Sequence, residues 1–223
     1  MQGLFLTATD TGAGKTYVTA AACRALRREG RPFRVCKPVA TGAEWADGRW
    51  LAEDTRLLAE AAGERDLDAV TPWAFPAPAA PPVAARLAGA GLTLDKLADA
   101  VSRRWSPGVP VLVEGVGGLL CPLTERETVA DLAALLGLPL LVVARRALGT
   151  LNHTLLTLEV ARGRRLRLAG VVVSETAPVS GPAEETNIEE LRSRIEVPLL
   201  AVAPHAAAEV PGVVWWPLLT GGE

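Results

Sequence analysis

Short apolar runs alternate with longer amphipathic stretches along the chain. Residues 4–6 predict a buried strand, and residues 17–28 carry apolar side chains at helical spacing. Further strands are predicted at residues 33–37, 110–113, 138–144, 168–173 and 199–202. Further helices are predicted at residues 50–62, 83–88, 94–105, 129–136, 151–162 and 183–195. Strands that alternate with helices favour an α/β fold of three layers, with a mostly parallel sheet flanked by helices.

The chain shows no sign of a domain boundary. It contains no internal repeat, no low-complexity tail and no shift in composition. Residues 66–82 are rich in proline and alanine and predict an ordered excursion over the surface. We therefore expect a single domain that spans residues 1–223.

A glycine-rich turn follows the first predicted strand and leads into the first predicted helix. The turn and helix start contain Gly12, Ala13, Gly14, Lys15 and Thr16. Strand, glycine-rich turn, Lys-Thr and helix are the context of a phosphate-binding P-loop, in which backbone N–H groups and the lysine meet phosphate oxygens and the hydroxyl meets Mg²⁺. The predicted fold class is therefore P-loop NTPase-like.

Composition narrows the classes of function. The 223 residues are 49% hydrophobic and 22% charged, which is typical of a soluble globular protein. A net charge of −2 argues against nucleic acid as the main partner. There is no apolar run of membrane-spanning length and no signal-peptide pattern, and the three scattered cysteines favour a reducing compartment. We expect a cytoplasmic protein without a membrane partner.

Lysine is rare in this chain. Only Lys15, Lys37 and Lys96 are lysine among 23 basic residues. Asparagine and glutamine are also scarce (Asn152, Asn187 and Gln2), and few thermolabile side chains together with 17 prolines are typical of a thermophilic source, although a GC-rich genome biases composition similarly. Positions that keep lysine are candidates for needing a compact ammonium. Lys37 ends a predicted strand, and ligands bind at the carboxyl ends of parallel strands, so Lys37 is a candidate functional residue.

Two acidic residues are placed to join the P-loop. Glu114 ends an apolar strand just before a glycine-rich turn, and Asp54 lies in the first turn of a predicted helix. Taken alone, Asp54 is also explained by a favourable interaction with the helix dipole. With Thr16 the two carboxylates would supply the oxygen ligands that Mg²⁺ prefers.

Five segments in register resemble the dethiobiotin synthetase family along essentially the whole chain. They are Thr9-Asp10-Thr11 with Gly14-Lys15-Thr16, Lys37-Pro38-Val39-Ala40-Thr41-Gly42, Asp54, Val113-Glu114-Gly115-Val116-Gly117-Gly118, and Leu148-Gly149-Thr150-Leu151-Asn152-His153. The resemblance implies a cytoplasmic homodimer that makes dethiobiotin, ADP and phosphate from 7,8-diaminononanoate, CO₂ and ATP through a carbamate and a carbamic-phosphoric anhydride.

The resemblance also implies roles for residues. Lys15, Lys37 and Thr11 would be catalytic, and Thr16, Asp54 and Glu114 would surround Mg²⁺. The nucleotide would contact Gly12, Ala13, Gly14, Lys15, Thr16, Tyr17, Asp54, Glu114, Gly115, Val116, Gly117, Ser174, Glu175, Pro204 and His205. The diamine would contact Lys37, Thr41, Gly118, Gly149, Thr150, Leu151 and Asn152, with the last four holding its distal carboxylate from across the dimer interface.

Three positions depart from the family pattern. Ala8 stands where the P-loop has its first glycine, and Gly12 stands where some members carry glutamate. Ser174 and Glu175 stand where many members have Asn-Asp to hold the nucleotide base.

The alternative from another class is a regulatory P-loop ATPase of the ParA/MinD type. Such proteins usually carry an extra lysine at the start of the loop, where this chain has Asp10. They also commonly carry DNA-binding or membrane-binding features, which the sequence does not display. The pattern therefore favours the synthetase.

Overall fold

A computed structural model describes residues 1–222 of the protein. The strands are β1 Gly3–Ala8, β2 Arg34–Cys36, β3 Val39–Thr41, β4 Glu44–Ala46, β5 Arg49–Leu51, β6 Trp73–Phe75, β7 Val111–Glu114, β8 Leu140–Arg145, β9 Leu168–Ser174 and β10 Leu199–Ala203. The helices are α1 Lys15–Arg28, α2 Glu53–Ala62, α3 Leu67–Val70, α4 Pro81–Leu87, α5 Leu94–Ser102, α6 Val129–Leu136, α7 Thr150–Gly163, α8 Pro182–Arg194 and α9 Trp215–Thr220.

The main sheet has six parallel strands in the order β10-β9-β8-β1-β7-β2. Strand β1 lies in the middle and is buried along its full length. Central strands of a parallel sheet are covered on both faces, which explains why β1 and β8 are continuous apolar runs rather than alternating ones. The predicted parallel α/β sheet is confirmed.

Two apolar cores cover the two faces of this sheet. Phe5 of β1 belongs to a core that includes residues of α5, α6 and α7, while Leu4 and Leu6 belong to a core that includes residues of α1, α2 and α9. Trp215 of α9 is among the largest fully buried side chains. This alternation along β1 fixes the register of the strand and yields the predicted three-layer architecture.

The region between β2 and α4 differs from the prediction. No strand was predicted between residues 37 and 110, but the segment after Lys37 contains β3, which pairs in parallel with β6 from the proline-rich stretch. The predicted helix over residues 50–62 begins only at Glu53, because Trp50 pairs with Trp45 across the β4–β5 hairpin. Asp47 and Gly48 at the hairpin tip both have positive φ, which suits a tight two-residue turn.

Within residues 1–222, no helix is long and apolar enough to cross a membrane. Residue 223, which the predicted domain includes, lies outside the described residues. The single-domain organisation over residues 1–223 stays a prediction.

Candidate functional site

The turn between β1 and α1 adopts a conformation that requires glycine at position 14. Gly14 has a φ of 90°, and a Cβ added to it would lie 2.3 Å from Ser174 Oγ. Gly12 also has positive φ, at 73°, and has open space around it. Ala8, at the position of the expected first glycine, is fully buried as the last residue of β1. The strand therefore accommodates Ala8, and the turn depends on its later glycines.

Three charged side chains and one hydroxyl group meet beside this turn. Lys37 Nζ donates hydrogen bonds to Glu114 Oε1 at 2.9 Å and to Asp54 Oδ2. Thr16 Oγ1 donates to the same Glu114 oxygen at 2.8 Å. Glu114 is fully buried at the end of β7, and its other oxygen, Oε2, has no hydrogen-bond partner among the described residues. The predicted neighbours Thr16, Asp54 and Glu114 are thus brought together, and Lys37 joins them.

Burial and pairing act in opposite directions on the pKa values of this cluster. Burial disfavours the ammonium of Lys37, but the carboxylates of Glu114 and Asp54 outweigh it and raise the pKa of Lys37. Burial also disfavours the carboxylate of Asp54, but Lys37 outweighs it and lowers the pKa of Asp54. Both side chains therefore stay charged at neutral pH.

Lys15 is the second buried ammonium of the site. Its Nζ donates a hydrogen bond to the carbonyl oxygen of Gly117 at 2.8 Å. Burial lowers the pKa of Lys15, Glu114 opposes that shift, and the like charge of Lys37 adds to it. Two neighbouring ammoniums in a buried site attract an anion that can approach both.

The P-loop and the charged cluster border a cleft of about 700 Å³. The predicted residues that line it are Thr11, Gly12, Gly14, Lys15, Thr16, Tyr17, Lys37, Thr41, Asp54, Val116 and Gly117. The cleft is also lined by Cys121 and by a wall of Pro78, Ala79, Ala80 and Pro81, which were not predicted. The run of prolines predicts a rigid segment, but nothing in the sequence alone shows that this segment lines the cleft.

Several predicted residues support the cleft from behind or beside it. Ala13 and Gly115 are buried, and a Cβ on Gly115 would meet Val129 and Phe5 at 3.0 and 3.2 Å. Glu114 does not line the cleft itself but accepts hydrogen bonds from Thr16 and Lys37, which do. Gly118 borders a separate groove beside α7.

The predicted base-side residues Ser174, Glu175, Pro204 and His205 are not among those that line the cleft. Ser174 is buried against Gly14, and the Glu175 carboxylate accepts hydrogen bonds from Arg146 and from the backbone N–H of His205. The Tyr17 hydroxyl contacts the carbonyl oxygens of Pro204 and Ala207. These contacts tie the segment after β10 to α1.

The turn before α7 does not line the cleft of its own chain. Gly149 has a φ of 92° and precedes the helix, while Thr150 is its first residue and is buried. Leu151 is half-buried and Asn152 is exposed. Leu148, which precedes this turn, is 83% exposed.

The donor set can be tested for its fit to a divalent cation. Thr16 and Glu114 offer oxygens within one hydrogen-bonded group, and the unpartnered Oε2 of buried Glu114 is a free acceptor. Within residues 1–222 no group of three or more His, Cys, Asp or Glu is arranged to hold a metal ion. A site made of the Asp54 and Glu114 carboxylates and the Thr16 hydroxyl would leave positions for water and phosphate. That incomplete oxygen shell suits Mg²⁺, which keeps several waters and is bound by one or two carboxylates and substrate phosphates.

A parallel sheet, a glycine-rich turn between β1 and α1, and a buried Lys15 followed by the half-buried Thr16 define a P-loop NTPase-like protein. The chain is similar to a ParA family ATPase from Chlorobium tepidum, with a TM-score of 0.54, 13% identity, and coverage of 92% of this chain and 85% of that one. It is also similar to chloroplast FtsY from Physcomitrella patens, with a TM-score of 0.54 and 17% identity, and spans 63% of that chain's length. Likeness at these identities shows the fold alone.

Sequence relatives identify the family within this class. A family model described as an AAA domain matches residues 2–210. The chain is 42% identical to an ATP-dependent dethiobiotin synthetase from Aromatoleum aromaticum, over 94% of this chain and 93% of the relative. It is 43% identical to the enzyme of the same name from Anaeromyxobacter dehalogenans, over 92% and 90% of the two chains. The chain belongs to the ATP-dependent dethiobiotin synthetase family.

Proposed function

We propose that this chain is an ATP-dependent ligase that converts 7,8-diaminononanoate and CO₂ into dethiobiotin, with ADP and phosphate as the other products. The full-length similarity to dethiobiotin synthetases supports this function. The observation that carries its chemistry is the pair of buried ammoniums, Lys15 and Lys37, beside a P-loop and an open cleft. Anions that gather charge during the reaction would be stabilised there.

The reaction consists of three bond-forming steps. One amine of the substrate attacks CO₂ and loses a proton, which gives a carbamate. A carbamate oxygen then attacks the γ-phosphorus of ATP, and ADP leaves as the carbamic-phosphoric anhydride forms. The second amine attacks the anhydride carbonyl and expels phosphate, which closes the cyclic urea.

The residues of the cleft fit these steps. Lys15 and the N-terminus of α1 bind the outer phosphates, and the Lys37 ammonium lies between carbamate and γ-phosphate as charge passes from one to the other. Thr11 and Thr41, which both line the cleft, position the diamine. The wall of Pro78 and Pro81 encloses the aliphatic part of the substrate and limits access of water.

Thr16, Asp54 and Glu114 would hold Mg²⁺. The bound ion would neutralise negative charge on the phosphate oxygens and orient the γ-phosphate. Thr16 and Lys37 both donate hydrogen bonds to Glu114 Oε1, at 2.8 and 2.9 Å, which supports a common role for these three groups. Their hydrogen bonds keep the carboxylates oriented before the nucleotide binds.

The active unit is a homodimer in which Gly149–Asn152 of the partner subunit would hold the distal carboxylate of the diamine. This proposal is supported by the exposure of Gly149 and Asn152 and of the apolar residues around the turn. Leu120, Leu148 and Leu156 are 49%, 83% and 56% exposed. Large exposed apolar side chains grouped near a polar turn are typical of a protein–protein interface.

The ParA/MinD-type alternative has weaker support. The likeness to a ParA family ATPase extends to the fold at 13% identity, whereas relatives with 42% and 43% identity are dethiobiotin synthetases. The acidic Asp10 also stands where that class usually has its extra lysine.

The deciding experiment measures ADP release from the purified chain with ATP and Mg²⁺. We expect strong stimulation only when 7,8-diaminononanoate and bicarbonate, as the source of CO₂, are both present, with a product of the mass of dethiobiotin. ATP hydrolysis that is indifferent to the diamine would exclude the synthetase and favour a regulatory ATPase.

A further inference from the structure

The order of strands in the main sheet separates two sides of the P-loop. Glu114 ends β7 and Lys37 follows β2, and both of these strands lie on one side of β1, while β8, β9 and β10 lie on the other. In the proposed reaction the γ-phosphate faces Lys37 and the diamine, so the nucleoside extends over the carboxyl ends of β8, β9 and β10. Ser174, at the end of β9, lies against Gly14 of the P-loop on this side. The base of the nucleotide is therefore expected beside the residues that follow β9 and β10.

The carboxylate on this side is already engaged by the protein. Glu175 Oε1 accepts a hydrogen bond from the Arg146 guanidinium, and its Oε2 accepts one from the backbone N–H of His205 at 3.2 Å. The Glu175 and Arg146 side chains are each only 16% exposed. Arg146 is fixed in turn, since its Nε donates to the carbonyl oxygen of Glu184 at 2.6 Å and its N–H donates to that of Ser174 at 2.8 Å. The carboxylate thus joins the ends of neighbouring strands, and both of its oxygens are used in doing so.

The side-chain amides of this chain lie elsewhere. An amide recognises adenine by accepting a hydrogen bond from its amino group and donating one to a ring nitrogen. The chain contains such a group only in Asn152, Asn187 and Gln2. The Asn187 amide donates to the carbonyl oxygen of Ala147 at 3.0 Å. Asn152 belongs to the turn proposed to hold the diamine, and Gln2 precedes β1 at the end of the strand opposite the P-loop.

The hydroxyl of Tyr17 is engaged as well. Tyr17 lines the cleft, and its Oη lies 2.9 Å from the carbonyl oxygen of Pro204 and also contacts that of Ala207. An aromatic ring can stack on any base, and such stacking depends little on which base it is. The P-loop N–H groups and Lys15 meet the phosphates, which are the same in every nucleoside triphosphate. The directional contacts of the site are therefore made to the triphosphate.

We propose that this site recognises the triphosphate and not the base, so that GTP, CTP and UTP act as phosphoryl donors beside ATP. The inference rests on the proposed function and names the substrate class of its nucleotide site. With each donor the carbamate oxygen attacks the γ-phosphorus, the bond from that phosphorus to the β–γ bridging oxygen breaks, and the corresponding nucleoside diphosphate leaves. Arg146 is a positioning residue in this arrangement, because it holds the Glu175 carboxylate in an ion pair.

The test compares four nucleotides on the parent enzyme. Phosphate release is measured with saturating diamine and bicarbonate and with ATP, or with GTP, CTP or UTP freed of contaminating ATP, and the mass of the product is recorded. The four kcat/KM values should lie within about fivefold of one another, since a specific base contact would separate them by roughly fivefold to 150-fold. A larger preference for ATP would overturn the proposal.

Variants of the ion pair test why the base is not read. Glu175→Gln should leave the ratios of the four kcat/KM values within about twofold of the parent, because the carboxylate does not contact the base. Arg146→Gln releases the carboxylate, which should then favour the three bases with an exocyclic amino group over uracil by about fivefold or more. Arg164→Gln is the matched control: it breaks a pair with Asp131 at the far end of α7 and should change no ratio. Melting temperatures show whether each variant folds.

Each remaining outcome bears on one idea. Ratios that change in Glu175→Gln would show that Glu175 reads the base and would overturn the proposal. A parent preference for ATP that disappears in His205→Ala would assign base reading to the exposed His205 and would also overturn it. Unchanged ratios in Arg146→Gln would overturn the positioning role of Arg146. Absence of diamine-dependent phosphate release with all four nucleotides would instead overturn the proposed function itself.

Discussion

The two ends of the candidate site are built in opposite ways. At the P-loop end, Lys15, Lys37 and Glu114 are buried. Their hydrogen bonds lie within one chain, from Lys37 to Glu114 and from Lys15 to the carbonyl oxygen of Gly117. At the α7 end, Leu148 and Asn152 are exposed, and Arg145 has no partner in the described residues. The P-loop end is therefore preorganised within one chain before its ligands bind. The α7 end is exposed, as expected of a surface that a second subunit completes. Chemistry should therefore depend on the first end and recognition of the diamine on the second.

Removal of divalent cations should produce the largest effect at the P-loop end. The oxygens of Thr16, Asp54 and Glu114 suit Mg²⁺, so exhaustive chelation should abolish turnover and added Mg²⁺ or Mn²⁺ should restore it. The measurement is phosphate release from dialysed enzyme with ATP, diamine and bicarbonate. Full turnover without divalent cations would show that this oxygen cluster does not act through a metal.

Lys37→Arg should cause the next largest loss. A planar guanidinium keeps the charge but fits a narrow bridge between two anions badly, so about 3 kcal/mol of transition-state stabilisation, or more than about 100-fold in rate, should be lost. The readout is the single-turnover rate of phosphate release, with ATP affinity measured by calorimetry.

The matched control for this variant is Lys96→Arg, since the Lys96 ammonium donates to the carbonyl oxygen of Gly91 away from the cleft. Its rate should equal that of the parent. Lys37→Ala is less informative because it removes the ion pair of the fully buried Glu114, which can destabilise the fold as well as slow the chemistry. A Lys37→Arg enzyme that turns over near the parent rate would reduce Lys37 to a general electrostatic neighbour.

Asn152→Ala tests the α7 end and should have a smaller, selective effect. If the turn holds the distal carboxylate, loss of one hydrogen-bonding side chain should raise KM for the diamine about threefold to tenfold and leave KM for ATP unchanged. Initial rates over both substrate concentrations measure this difference. Equal effects on both substrates would contradict the division between a chemical end and a recognition end.

The smallest expected effect concerns stability against pH. The folded-state pKa of Asp54 is below its usual value of 3.8, so its ion pair with Lys37 contributes stability above that value and loses it as pH falls through the folded-state pKa. The raised pKa of Lys37 acts oppositely: its contribution is present below its usual value of 10.5 and is lost as pH rises through the folded-state pKa. Asp54→Asn should therefore melt a few degrees below the parent at pH 7, with the gap narrowing below about pH 3.8. A gap that stays constant across this range would mean that the Asp54 charge does not stabilise the fold.

The sequence predicts the P-loop end far better than its surroundings. Lys37, Asp54 and Glu114 are widely separated along the chain, yet each lies at a strand end or helix start, and parallel topology brings such positions to one edge. The hairpin with Trp45 and Trp50 was missed because the apolar residues around position 50 also fit the helix that follows. Its Asp47-Gly48 turn was the available indication.

Other features depend on packing that no local pattern reveals. The short helix α9 was not predicted, because a six-residue segment containing Pro217 has little helical periodicity, although Trp215 is 1% exposed in the core. The contacts of Tyr17 with the segment after β10 join positions more than 180 residues apart.

The close approach of Gly14 and Ser174 has a consequence for mutagenesis of the two positions. A Cβ on Gly14 would lie 2.9 Å from the Ser174 Cβ, so the two positions share one small volume. Gly14→Ala and Ser174→Gly should therefore be non-additive, because Ser174→Gly removes the atoms that the new methyl group would meet. The phosphate-binding loop and the end of β9 thus constrain each other through a single contact.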